Sequence, residues 1–74
     1  MSRLVTDIAA HITGNVWKIE VAVGDTIEDG DTVVILESMK MEIPVEATAA
    51  GTIKDVGVTE GGVVQEGDVI AVIE

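Results

Sequence analysis

Residues 14–37 read GNVWKIEVAVGDTIEDGDTVVILE, and residues 51–74 read GTIKDVGVTEGGVVQEGDVIAVIE. The second stretch lies on the first without a gap at an offset of 51 − 14 = 37. Gly14 falls on Gly51, Gly24 on Gly61, Gly30 on Gly67, Asp31 on Asp68 and Glu37 on Glu74. Apolar positions agree between these anchors: Val16 with Ile53, Ile19 with Val56, Val21 with Val58, Ile27 with Val64, Ile35 with Val72 and Leu36 with Ile73. A repeated glycine pattern with a repeated apolar pattern between the glycines marks a repeated supersecondary unit.

Each unit reads as strands. After Gly14, alternation predicts Trp17, Ile19, Val21 and Val23 on one face and Lys18, Glu20 and Ala22 on the other. Gly24-Asp25 ends that strand. A short segment holding Ile27 leads to the turn signal Asp29-Gly30-Asp31. The run Thr32 to Glu37 follows. Unit two gives Thr52 to Val58, then Gly61-Gly62, then Glu66-Gly67-Asp68, then Val69 to Ile73. No stretch keeps helical spacing over ten residues.

Composition agrees. Among 74 residues there are 13 Val and 9 Ile, no Phe or Tyr, and one Trp. β-Branched residues lose side-chain freedom in a helix and fit a pleated sheet. Without cysteine, neither a disulfide nor a Cys-based metal site is open to the chain. The length allows one domain, spanning 1–74, with packing alone to hold it.

Two half-units, each unable to bury its apolar face alone, predict an all-β fold. It is a flattened barrel or sandwich of two small antiparallel sheets related by a quasi-two-fold axis. By that symmetry the link around Val45 corresponds to Ile8 (45 − 37 = 8), so the last strand should lie beside the first, near Ile8. The chain ends should meet at the place symmetric to residues 38–41, at the other end of the molecule.

A net charge of −10 excludes a nucleic-acid partner, which needs phosphate neutralised, and an anionic membrane surface. No apolar run reaches spanning length. Met1-Ser2-Arg3 lacks the apolar stretch of a secretory signal, so the expected location is cytoplasmic. His11 stands alone, with no set of metal ligands around it. No phosphate-binding glycine motif is present. Trp17 reads as packing, half exposed because its repeat mate is Lys54.

The link between the units carries the chemistry. Residues 37–42 are Glu-Ser-Met-Lys-Met-Glu, followed by Ile43-Pro44-Val45, an extended segment because Pro biases its predecessor away from helix. The link is therefore a hairpin with Met39-Lys40 at its tip. Two-residue hairpin loops favour Asn-Gly or Asp-Gly, since both central residues need positive φ. Met and Lys there imply strain of about 1–3 kcal/mol. A chain that turns at Asp-Gly elsewhere and at Met-Lys here is choosing side chains over turn chemistry. A lysine amine, with a reference pKa of about 10.4, is protonated at neutral pH and a weak nucleophile. Lys40 thus suits an amine that another enzyme acylates better than a catalyst's own nucleophile.

Glu37-Ser38-Met39-Lys40-Met41-Glu42 resembles the attachment motif of biotin carboxyl carrier domains, in which the lysine between two methionines receives biotin. The resemblance runs from Gly14-Asn15-Val16-Trp17-Lys18 to the C-terminus. It includes Val23-Gly24-Asp25, Gly30-Asp31 and the closing Glu66-Gly67-Asp68-Val69-Ile70-Ala71-Val72-Ile73-Glu74. It implies the two-sheet fold with the lysine on a hairpin tip, and covalent biotin on Lys40. Met39, Met41 and Glu37 then form a surface read by a biotin protein ligase, although Glu37 reads equally as a solvated strand end. The further partners implied are a biotin carboxylase and a carboxyltransferase, of an acyl-CoA carboxylase by preference, and the chain itself is no enzyme. Thr13 stands where such domains often have Pro, and Ala47-Thr48 where they often have Ala-Pro. No insertion forms the protruding thumb that some biotin carriers have. A lipoyl carrier and an unmodified structural adaptor are the alternatives on the same fold; Met39 and Met41 weigh against the lipoyl reading. Completion of the repeat at Glu74 suggests a free-standing protein.

Overall fold

A computed structural model describes residues 5–74. The Met1-Ser2-Arg3 start lies outside the described residues. Eight strands follow in order: β1 (Thr6–Ala9), β2 (Gly14–Ile19), β3 (Thr26–Ile27), β4 (Thr32–Ser38), β5 (Met41–Glu46), β6 (Gly51–Val56), β7 (Val63–Val64) and β8 (Val69–Ile73). They form two four-stranded sheets, ordered β1-β8-β6-β3 and β5-β4-β2-β7, and every pairing is antiparallel. Among the described residues there is no helix.

The internal repeat governs the hydrogen bonding down to single residues. Val34 faces Val45 as Ala71 faces Ile8. Val16 faces Leu36 as Ile53 faces Ile73, and Asn15 faces Val63 as Thr52 faces Thr26. Outside the ladders, Gly24 N–H donates to Ile53 O and its mate Gly61 N–H to Val16 O, both at 2.8 Å. Asp31 and Asp68 each accept a backbone bond from three residues upstream, at Glu28 and Gln65, which closes the two Gly-Asp turns. The last strand does lie beside the first, with Ile8 opposite Ala71.

The core is aliphatic. Leu36, Ile53, Ile70, Ile73, Val16, Val33 and Val34 are fully buried, drawn from both sheets, and among the described residues no polar one is buried with them. Neither sheet could hide these side chains without the other, which is why the half-units need each other.

Strict alternation along β2 is corrected by the structure. Val16 is buried, Trp17 is 48% exposed, and β2 ends at Ile19, short of Val21 and Val23. The register jumps between Val16 and Lys18, so Trp17 and Lys18 together oppose Ile35. This β-bulge turns two successive side chains outward and resets the inward face to Val16 and Ile19. Its mate lies between Ile53 and Asp55, with Lys54 as the extra residue. A second matched pair of bulges carries Val33 and Ile70 into the core.

The chain's end is tied to β6: Thr52 and Glu74 exchange two backbone bonds, of 3.0 and 2.8 Å. Thr52 pairs in turn with Thr26 of β3. The C-terminus therefore sits with β3, which precedes β4 in the chain, whereas residue 40 lies beyond the far end of β4.

Candidate functional site

β4 and β5 are joined by two residues. Ser38 pairs with Met41, leaving Met39 and Lys40 as the loop. Met39 has φ 51° and Lys40 φ 63°, the only non-glycine residues with positive φ among those described. Two left-handed residues in succession give a turn whose twist matches that of the flanking strands. The sequence expectation of a strained Met-Lys tip is met. Met39 is 90% exposed, Met41 is 61% exposed, and Lys40 is exposed between them.

Below the tip the hairpin is held firmly. Leu36 anchors β4 in the core. Gly14 lies beneath the end of β4, so close that a Cβ there would stand 2.8 Å from Glu37 O and 3.5 Å from Ser38 Cβ. Gly51 holds the same relation to Glu74 O, at 2.7 Å. Gly14 escaped the sequence reading as a site residue; its signal was its place opening the first unit, as Gly51 opens the second. Pro44 sits on β5, an edge strand, where a missing N–H donor leaves no partner unsatisfied.

Glu37 is exposed and stands opposite Glu42 across the β4–β5 ladder. Like charges directly opposed across strands are unfavourable. Glu37, Met39, Lys40 and Met41 thus come together at one end of one sheet. Trp17 is exposed on β2, which pairs with β4 in the same sheet, and His11 is exposed in the segment between β1 and β2.

A primary amine, exposed on a rigid two-residue turn, fits a covalently tethered group better than an enclosed ligand. Two open grooves run along the sandwich, one past Val56, Val58 and Val63 and its repeat mate past Val21, Thr26 and Ile27; Lys40 lines neither. Among the described residues no cluster of three His, Cys, Asp or Glu could hold a metal.

Comparison with known proteins identifies the family and the fold. Residues 4–73 match the family model described as "Biotin-requiring enzyme". The chain is 51% identical over 63 residues to the biotin/lipoyl attachment protein of Bacillus subtilis, covering 85% of this chain and 86% of that one. It is 50% identical over 70 residues to the biotinylated protein TB7.3 homolog of Mycobacterium leprae, covering 95% and 99%. Among solved structures, the urea carboxylase of Kluyveromyces lactis matches with a TM-score of 0.91 and 38% identity, over all of this chain and 6% of that one. A single-chain, multi-domain long-chain acyl-CoA carboxylase matches at 0.86 and 31%, over 97% and 7%.

Proposed function

Because this chain belongs to the biotin-requiring enzyme family and is a biotin carrier, we propose that Lys40 is its attachment residue. The observation that carries this is the tip itself. An exposed amine is held in a left-handed turn that Lys ordinarily avoids, between two exposed methionines. A biotin protein ligase condenses Lys40 Nζ with the carboxyl group of biotin to an amide, and cleavage of ATP drives the loss of water. Met39, Met41 and Glu37 form the surface that ligase reads.

Tethered biotin supplies a ring nitrogen that takes up a carboxyl group at a biotin carboxylase and yields it at a carboxyltransferase. The chain's own residues do no bond-making in that cycle. They hold the tether at a fixed point on a rigid sheet, so that one cofactor serves two active sites at high local concentration. The acceptor we assign is an acyl-CoA, the substrate class in the name of one structural neighbour. The urea carboxylase match means that an assay must offer both acceptors. We place the reaction in the cytoplasm, where ATP is available to ligase and carboxylase.

The test is peptide mass mapping of protein purified from its host, with avidin blotting. A mass increase of one biotin on Lys40, absent from Lys40→Arg, is the expected result. Biotin on Lys18 or Lys54 would overturn the assignment. The name of the Bacillus subtilis relative gives the lipoyl reading a specific basis. The same spectrum decides it, because lipoyl and biotinyl groups differ in mass.

A further inference from the structure

The repeat supplies the molecule with its own control surface. The two sheets have the same strands, register and bulges, so whatever the fold requires on one outer face it requires on the other. Residues that differ in character between matched positions answer to something besides folding.

The outer face of the hairpin sheet is read from its register. Across it run Pro44, Ile35 and then the bulged pair Trp17 and Lys18. Nearer the tip run Glu42, Glu37, Asn15 and Val63. The matched rows on the other sheet, displaced by 37, are Asp7, Val72, Lys54 and Asp55, then Val5, Glu74, Thr52 and Thr26. Ile35 and Val72 agree, as a shared fold demands. Trp17, Pro44 and Val63 stand where the other face has Lys54, Asp7 and Thr26; only at the edge does Val5 oppose the trend. The hairpin face thus exposes 48% of Trp17 and 70% of Val63 at positions where the fold accepts Lys and Thr. Exposed apolar surface that folding does not require marks an interaction site. Around it, Glu37 and Glu42 oppose one another, and Lys18 is drawn to Glu20 at 3.5 Å.

We propose that this outer face, centred on Trp17, Ile35, Pro44 and Val63 and edged by Glu37 and Glu42, is the docking surface for the ligase that acylates Lys40. The ligase meets it with an apolar socket rimmed by Arg or Lys. The inference rests on Lys40 being the attachment residue. Proximity selects the ligase as occupant. Its reacting atom, Nζ, belongs to this chain and lies one side chain from the hairpin, so the ligase must touch the body of the domain to reach it. A carboxylase acts at the far end of the cofactor arm, further from that body. Charge sets the chemistry of the partner surface. Glu37 and Glu42 repel each other in the free protein, and a cationic rim relieves that repulsion on binding. The face is continuous with the exposed tip, so one contact covers both.

The experiment measures biotin transfer by the host's biotin protein ligase to the full chain, with biotin and ATP. The repeat chooses the variants: Trp17→Lys with Val63→Thr puts on the hairpin face what the matched face already carries. The expected result is a KM for the carrier raised about tenfold or more, as for loss of a buried Trp anchor, with kcat within about twofold. Trp17→Phe should restore most of the affinity. The mirror variant, Lys54→Trp with Thr26→Val, should leave KM unchanged. Melting curves check the fold, and Trp17→Lys alone replaces the double variant if that one is unfolded.

An unchanged KM with the wild-type chain biotinylated at Lys40 overturns this inference alone. Absence of biotin from Lys40 in the wild type overturns the attachment assignment instead. If the ligase KM is unchanged but carboxylation of pre-biotinylated variant by the host carboxylase is impaired, the occupant is the carboxylase and the proposal falls. Sedimentation showing a wild-type dimer that the variant loses, with ligase KM unchanged, assigns the face to a second copy and equally overturns it.

Discussion

Lys40 is set apart by its backbone more than by its side chain. The chain has other exposed lysines, Lys18 and Lys54, but each lies on a bulged strand. Lys40 alone stands on a two-residue turn, with a left-handed neighbour. A left-handed L-residue costs about 1–2 kcal/mol, and Asn bears it better than Met. Met39→Asn should therefore stabilise the protein by about 1 kcal/mol in urea unfolding. It should also slow biotin transfer, because the 90% exposed Met39 side chain is lost from the recognition surface. A gain in stability with faster or unchanged labelling would show that Met39 is there for reasons other than recognition. This much was legible in the sequence, because Met-Lys is poor turn chemistry in a chain that places glycine in its other tight turns.

At the scale of strands, the same packing relation occurs at two places with different functional weight. Gly14 supports β4 just before the hairpin; Gly51 supports the chain's last residue. A methyl group at either position meets backbone oxygen inside 3 Å. Gly14→Ala and Gly51→Ala should each destabilise the fold by about 1–3 kcal/mol, the usual cost of overpacking. Only Gly14→Ala should also reduce biotin transfer, since only there does the displaced strand carry Lys40. Comparing transfer rates at a temperature where both variants remain folded checks this. What escaped the sequence also belongs at this scale. Alternation from Trp17 assumed an unbroken pleat. A bulge inserts one residue without altering apolar composition, so the pattern of Val and Ile could not reveal it. The clue was the pairing of Trp17 with Lys54. An aromatic and a lysine at one repeat position fit a shared outward site and not a shared core site.

In the whole molecule, the repeat makes nearly everything occur twice: ladders, bulges, turns and grooves. The fold class and the beside-the-first placement of the last strand could be read from the sequence because a fixed offset of 37 carries topology as well as composition. Among the described residues the hairpin is the exception, present once; the link matched to it by the offset would run from Glu74 to Val5. Closing the chain into a circle with Ser-Met-Lys-Met between Glu74 and Val5 should build a second tip with the geometry of the first. Intact mass after labelling should then show two biotins, and Lys40→Arg in the circle should leave one. Valency, on this scaffold, follows the number of matched strand pairs that such a tip joins.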